Sequence, residues 1–118
     1  MVSIAVVDDD AAILDAMTLL AESRGWLAKV FASGEAFLDA FEQDRDIDCV
    51  VLDPHLEGMG GDHVADVVAG TGVPVVGLTA RPESPVTQSI MQSGAAAMLT
   101  KPVRPDELVS AIERLLLN

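Results

Sequence analysis

Short apolar runs alternate with longer amphipathic stretches along the whole chain, and this alternation constrains the fold most strongly. The first run, residues 4–7, is rich in β-branched side chains, and residues 11–24 then carry apolar side chains at helical spacing. Five such pairs follow one another. A strand followed by a helix, repeated along a chain, predicts a parallel sheet with helices on both faces. The sequence therefore predicts one doubly wound α/β domain.

The predicted elements are delimited by capping and breaking residues. Asp10 and Ser33 are predicted N-caps, Gly25 a helix stop and Pro105 the first residue of the last helix. The predicted strands are 4–7, 26–31, 49–52, 74–78 and 97–99. The predicted helices are 11–24, one following Ser33, 62–69, 84–93 and one beginning at Pro105, with a glycine-rich loop over 54–61.

Size and charge exclude several function classes. The 118 residues suit one domain, predicted over 1–118. The formal net charge of -12, from 19 acidic against 7 basic residues, argues against binding of nucleic acid or of an anionic membrane by this chain. Cys49 has no cysteine to pair with, and neither a signal peptide nor a membrane-spanning run is apparent. We expect a cytoplasmic domain.

Polar residues follow four of the five predicted strands. Sites in open parallel sheets form outside the carboxyl ends of the strands, so these residues are expected to share one edge. They are Asp8, Asp9 and Asp10 after the first strand, Asp53 after the third, Thr79 and Ala80 after the fourth, and Thr100, Lys101 and Pro102 after the fifth. The sequence therefore predicts one polar site at that edge.

These residue types together suit phosphoryl transfer. Close carboxylates such as Asp8, Asp9 and Asp53 would repel one another, and a divalent cation removes that cost. Carboxylate, carbonyl and water oxygens are the ligands that Mg²⁺ prefers. A carboxylate is also a nucleophile, and the ammonium of Lys101 and hydroxyl of Thr79 can bind phosphoryl oxygens.

Four segments carry a resemblance to a known family. They are Val-Val-Asp8-Asp9, Val-Val-Leu-Asp53, Val-Pro-Val-Val-Gly-Leu-Thr79-Ala80 and Leu-Thr-Lys101-Pro102. In this order and spacing they resemble the receiver domain of two-component response regulators, of the chemotaxis-regulator-like kind. The resemblance runs from Ile4 to the last helix, and it implies a flavodoxin-like fold with strand order 2-1-3-4-5.

The resemblance also implies roles for individual residues. Asp53 would be the nucleophile that takes phosphate from a phosphohistidine. Asp9 would bind Mg²⁺ directly, Asp8 mainly through water, and the backbone carbonyl of His55 would complete the protein ligands. Lys101 would pair with the phosphoryl group and Thr79 would move inward to bond it. The bond between Lys101 and Pro102 would be cis, and the small Ala80 would leave room for the phosphoryl group.

Several positions depart from the family pattern. The aromatic residue expected three positions before the lysine is replaced by Met98. Glu57 stands where proline is frequent, and Pro54 follows the nucleophile directly and removes a backbone donor. The relay from the phosphoryl group to the surface is therefore expected to differ from the usual pattern.

Other candidate residues receive simpler interpretations. Asp10 is predicted to cap a helix rather than bind metal, and the buried Cys49 to act as a small apolar residue. The ring of His55 is expected to be solvated, and His63 is assigned no role. The glycines of 54–61 match no phosphate-binding loop, because no Gly-Lys-Ser/Thr follows them.

The resemblance favours a signalling domain that catalyses only its own phosphotransfer and dephosphorylation. Its partners would be a sensor histidine kinase or phosphotransfer protein, and an effector domain or downstream protein. The output face would be the fourth helix, fifth strand and fifth helix, which leaves open a homodimer. Two alternatives are a degenerate receiver that binds proteins without phosphorylation, and an aspartyl-nucleophile phosphatase. The phosphatase is disfavoured because His55 stands where such enzymes carry a second acid.

Overall fold

A computed structural model describes residues 1–117 of the chain. Its single sheet has five parallel strands in the order β2-β1-β3-β4-β5. The strands are β1 Ser3–Val7, β2 Leu27–Phe31, β3 Cys49–Leu52, β4 Val75–Thr79 and β5 Ala97–Thr100. The helices are α1 Ala11–Ser23, α2 Gly34–Gln43, α3 Gly61–Ala69, α4 Pro85–Gln92 and α5 Pro105–Leu116. The predicted fold class and strand order are confirmed, and Asn118 lies outside the described residues.

Several element ends differ from the predictions by one residue, for local reasons. Trp26 lies outside β2 because its backbone N–H donates to the carbonyl of Ala21 and closes the end of α1. Both β4 and β5 extend one residue further than predicted, because Thr79 and Thr100 are paired across the two strands. These extensions lengthen the sheet toward the edge where the polar residues lie.

The predicted caps are present. The side chain of Asp10 accepts a hydrogen bond from Ala12 N, and that of Ser33 accepts from Ala36 N. Gly25 follows α1 with φ of 74°, a left-handed conformation that glycine adopts without strain. Pro105 is the first residue of α5. Local sequence signals therefore set the starts of α1, α2 and α5 and the end of α1.

The sheet separates two apolar cores, one on each face. Phe37, Phe41 and Val64 pack on one side, and Met17, Leu108 and Ile112 on the other. The residues of β1 and β3 are buried throughout, which explains why both strands read as continuous apolar runs. Within the described residues, no helix is long and apolar enough to cross a membrane.

Candidate functional site

The first two carboxylates of the site are placed by the pairing of β1 with β3. Val7 lies opposite Leu52 in this pairing, so the residues that follow, Asp8 and Asp53, leave the sheet side by side. The backbone N–H of Asp53 donates to the carbonyl of Val7 at 3.0 Å. Both side chains are largely buried, with Asp8 2% exposed and Asp53 8% exposed.

Asp9 completes a cluster of three carboxylates. It is exposed, and one oxygen from each of Asp8, Asp9 and Asp53 lies within 4.8 Å of the other two. Two buried acids and one exposed acid in this arrangement supply hard oxygen ligands with an opening to solvent. That donor set fits Mg²⁺, which keeps several waters when it binds proteins.

Lys101 reaches the same carboxylates from the end of β5. Its Nζ donates to Asp8 Oδ2 at 2.9 Å and to Asp53 Oδ2 at 3.2 Å. Its backbone N–H donates to the carbonyl of Thr79 at 2.7 Å, and its bond to Pro102 is cis, as expected. We call Asp8, Asp9, Asp53 and Lys101 the carboxylate pocket.

Burial and the neighbouring charges of the carboxylate pocket shift two pKa values. Burial raises the pKa of Asp8 above its ordinary value, against the hydrogen bonds from the backbone of Asp10 and from Lys101, while the charge of Asp53 raises it further. Burial alone would lower the pKa of Lys101, but the hydrogen bond to Asp8 and the charge of Asp53 hold it above its ordinary value. The pocket holds three carboxylates and one lysine, so the carboxylates outnumber the cation.

Thr79 lies at the same edge of the sheet but outside the carboxylate pocket. It is fully buried, and its Oγ1 accepts a hydrogen bond from Arg81 N at 2.9 Å. Its Oγ1 lies 3.5 Å from His55 Nδ1 and 3.5 Å from Thr87 Oγ1. Among the described residues, no side-chain hydrogen bond joins Thr79 to Asp53 or Lys101.

The expectation that the His55 ring is solvated is wrong. Its side chain is 21% exposed, and Nε2 lies 2.8 Å from Oγ of Ser84, the N-cap of α4. The backbone N–H of His55 donates to Asp53 Oδ1 at 2.9 Å, and its Nδ1 lies 4.0 Å from the same oxygen. The ring is half-buried because it lies between the nucleophile candidate and α4.

Sequence reasoning also missed Ser84 and Thr87. Ser84 Oγ donates to Thr87 Oγ1 at 2.9 Å, and Thr87 Oγ1 donates to the carbonyl of Arg81 at 2.9 Å. We call His55, Thr79, Ser84, Thr87 and the Arg81 carbonyl the hydroxyl network. In the sequence, Ser84 is a possible N-cap three residues before Thr87. That pattern predicts the start of a helix but no hydrogen-bond network.

Met98 fills space that a side chain at Gly77 would need. The two residues are opposite each other on β4 and β5, and a Cβ at position 77 would overlap Sδ and Cε of Met98. Met98 is half-buried and packs against the core on the α3 and α4 side of the sheet. Met98, at the position where an aromatic residue is expected, therefore packs against the core.

The remaining candidates carry no chemistry in this structure. Cys49 is fully buried, and burial raises its thiol pKa to about 12, so it is a small apolar residue, as predicted. His63 lies exposed on α3. Asp10 caps α1 through its side chain. Gly61 packs against the backbone of Asp53 and Pro54, where a Cβ would lie 2.7 Å from Pro54 Cα.

The chain is a doubly wound α/β domain with an acidic pocket and a lysine at the carboxyl edge of its sheet. The sequence model of the family described as "Response regulator receiver domain" matches residues 4–113. The DNA-binding response regulator MtrA of Mycolicibacterium paratuberculosis is 37% identical over 110 residues, which cover 92% of this chain and 48% of MtrA. The chain thus spans about half the length of the curated relatives it matches.

Solved structures agree with the family match. A response regulator receiver protein from Burkholderia phymatum is 33% identical, with a TM-score of 0.87 over 98% of this chain and 95% of its own. A CheY-like receiver domain protein from Methanospirillum hungatei is 25% identical, with a TM-score of 0.92 over 98% and 94%. The chain belongs to the response regulator receiver domains, the signalling domains of two-component systems.

Proposed function

We propose that this chain, over residues 1–118, is a phosphoacceptor whose Asp53 takes a phosphoryl group from the phosphohistidine of a sensor histidine kinase or phosphotransfer protein. The observation that carries this proposal is the position of Lys101 Nζ, which bonds Asp8 and Asp53 at once beside a third carboxylate, Asp9. A nucleophilic carboxylate, a cation that pairs with phosphoryl oxygens and a set of metal ligands are the parts that such transfer requires.

The three carboxylates would hold Mg²⁺ together with the backbone carbonyl of His55. When bound, Mg²⁺ would neutralise charge that develops on the transferred phosphoryl oxygens. The raised pKa of Asp8 supports this assignment, because its cause is burial of a carboxylate beside Asp53, a cost that a cation offsets. Asp9, which is exposed, faces the side from which a cation would enter.

The nucleophile and its neutralising cation are oriented by direct bonds. The backbone N–H of His55 holds Asp53 Oδ1 at 2.9 Å, and Lys101 holds Oδ2 at 3.2 Å. Lys101 would stay with the phosphoryl group once Asp53 is modified, since its ammonium can bond phosphoryl as well as carboxylate oxygens. Thr79 would supply a further hydroxyl donor, as in the family pattern.

The output of the domain is proposed from the family. The relative MtrA is named as DNA-binding, and it is about twice as long as this chain. A net charge of -12 argues that this domain does not itself contact DNA. We propose that it acts on an effector domain or a downstream protein through the α4, β5 and α5 face, in the cytoplasm, and that a homodimer through this face is one form of that output.

Intact mass measurement after incubation with Mg²⁺ and acetyl phosphate tests the proposal. We expect one phosphoryl addition, which Asp53→Asn abolishes because the amide is no nucleophile. Asp15→Asn, which changes an exposed carboxylate of α1, is the matched control and should keep the adduct.

Two outcomes would contradict the proposal. A wild-type chain that takes phosphate neither from acetyl phosphate nor from any phosphohistidine donor would favour the degenerate receiver, a reading that the packed Met98 motivates. Rapid turnover of an unrelated phosphomonoester, such as p-nitrophenyl phosphate, would favour the aspartyl-nucleophile phosphatase.

A further inference from the structure

A groove lies between α2 and α3, apart from the carboxylate pocket. The helix α2 leads from the end of β2 back to the start of β3, and α3 leads from β3 back to β4, so the last residues of both helices lie toward the amino edge of the sheet. The carboxylate pocket lies at the opposite edge. We call this surface the α2–α3 groove, which is lined by Leu38, Asp39, Phe41, Glu42, Arg45 and Val67.

The floor of the α2–α3 groove is apolar and partly open to solvent. Leu38 and Phe41 belong to the core on this face of the sheet, whereas Val67 is 39% exposed. The volume of the groove is about 270 Å³. Pockets for small-molecule ligands are larger, at roughly 300–1,000 Å³. The groove therefore suits single side chains of a partner protein, and Val67 offers apolar area that such side chains would cover.

The rim of the α2–α3 groove is acidic. Asp39 and Glu42 are exposed one turn apart on α2, and neither forms an ion pair among residues 1–117. Positions 35–48 hold six acidic residues and one basic residue. A second copy of this chain, with its net charge of -12, would be repelled here, as would a nucleic acid or an anionic membrane. The charge complement of this rim is a basic partner.

The one basic residue of positions 35–48 shows how a cationic side chain fits the groove. The guanidinium carbon of Arg45 lies 5.1 Å from the centroid of the Phe41 ring. Arg45 is exposed, so its apolar stem covers part of the floor while its charge stays in water. A lysine or arginine of a partner would pack on the rest of the groove in the same way.

We propose that the α2–α3 groove binds a basic amphipathic helix of a partner protein. Apolar side chains of that helix would pack against Leu38 and Val67, and its lysine or arginine side chains would face Asp39 and Glu42. A helix with apolar residues three and four positions apart presents a stripe of this kind. The groove is separate from the α4, β5 and α5 face, so this contact does not require phosphorylation of Asp53.

Fluorescence anisotropy with a labelled peptide tests the proposal on the full chain. The probe is a helical peptide of repeated Leu-Lys-Lys-Leu units, and its counterpart carries glutamate in place of each lysine. We expect the basic peptide to bind the wild-type chain and the acidic peptide not to bind. Equal binding of both peptides, or no binding of the basic one, would overturn the proposal.

Two variants separate the rim from the floor. The double variant Asp39→Asn, Glu42→Gln should weaken binding of the basic peptide by about fivefold, the combined effect of two exposed charge pairs. Val67→Ser should weaken it by about threefold, because less apolar area is covered on binding. Anisotropy titrations give both dissociation constants. A Val67→Ser variant that binds as tightly as the wild type would contradict an apolar contact with the floor.

Matched controls come from exposed positions of α1. The double variant Asp15→Asn, Glu22→Gln removes the same charge there, and Leu19→Ser removes an exposed apolar side chain. Both should bind the basic peptide like the wild type. Equal losses in the two double variants would overturn the proposal, because binding would then follow net charge alone. The Asp39→Asn, Glu42→Gln variant should still take one phosphoryl group from acetyl phosphate, so the proposed function is tested separately.

Discussion

The carboxylate pocket and the β4–β5 side of the sheet meet at the same edge but are held together differently. In the pocket, Lys101 bonds Asp8 and Asp53 directly at 2.9 and 3.2 Å. On the β4–β5 side, Thr79 Oγ1 lies 3.5 Å from the side chains of His55 and Thr87, and Met98 packs over Gly77. One region is organised by charge, and the other by hydroxyl groups and side-chain shape.

The two regions therefore differ in how freely their residues can vary. Charge pairing in the carboxylate pocket requires particular residue types at fixed points, because a buried carboxylate without a cation is costly. Packing between β4 and β5 requires only that the side chains fill the available volume. Met98 fills the space beside Gly77, so no aromatic residue is needed there. The residue types of the first region are therefore constrained more tightly than those of the second.

The largest effect is expected when the cation of the carboxylate pocket is removed. Lys101→Ala should slow phosphorylation of Asp53 by roughly 10²-fold, the typical cost of deleting one preorganised charge-stabilising group. A time course of intact mass with acetyl phosphate measures this rate. Lys29→Ala removes the other lysine of the chain, whose ion pair with Asp44 is a loose 3.8 Å contact, and should leave the rate unchanged. Equal phosphorylation rates in both variants would show that phosphorylation of Asp53 does not depend on the charge of Lys101.

The next largest effect is expected on metal affinity. Asp9→Ala should raise the dissociation constant for Mg²⁺ by about tenfold, because one of three carboxylate ligands is lost. Isothermal titration calorimetry measures the constant. Asp10→Asn is the control, because it changes the neighbouring acid and asparagine can still cap α1. The affinity of this variant for Mg²⁺ should stay close to that of the wild type. An unchanged affinity in Asp9→Ala would remove Asp9 from the ligand set.

A smaller effect, on stability, tests the β4–β5 side. Gly77→Ala should lower the free energy of unfolding by about 1–2 kcal/mol, because its Cβ overlaps the end of Met98 and the side chain must shift. Met98→Ala in the same chain should recover part of that loss, which denaturant unfolding measures. Gly70→Ala is the control, since its nearest neighbour would be 3.8 Å from the new Cβ. Additive losses in the double variant would contradict the overlap.

The smallest effect concerns pH. Burial raises the pKa of Asp8 above 3.8, so ionisation costs more in the folded than in the unfolded chain. Its contribution to stability is fully present below pH 3.8 and is lost as the pH rises through the raised value. Without divalent cations, Asp8→Asn should therefore be more stable than the wild type at neutral pH, by about 1 kcal/mol. Asp15→Asn should follow the wild-type curve, and a destabilised Asp8→Asn would show that the bond to Lys101 dominates instead.

The fold and the carboxylate pocket could be predicted from the sequence because both follow from local rules. Runs of apolar residues predict the strands. The pocket residues lie just after strand ends, which is where parallel sheets form their sites. The hydroxyl network could not be predicted, because His55 and Ser84 are 29 positions apart and no periodic pattern relates them. The contact of Gly77 with Met98 likewise depends on the register of β4 with β5.

The residues of the carboxylate pocket are far apart in the sequence, and this affects when the pocket can form during synthesis on the ribosome. Asp8 and Lys101, bonded at 2.9 Å, are 93 positions apart, and β1 must pair with β3 after a helix, a strand and a second helix have intervened. Contacts between such distant segments form late, because loop closure has to precede them. A nascent chain that has not yet emerged as far as β5 contains Asp8, Asp9 and Asp53 but lacks Lys101. The carboxylate pocket is therefore completed only after β5 has been synthesised.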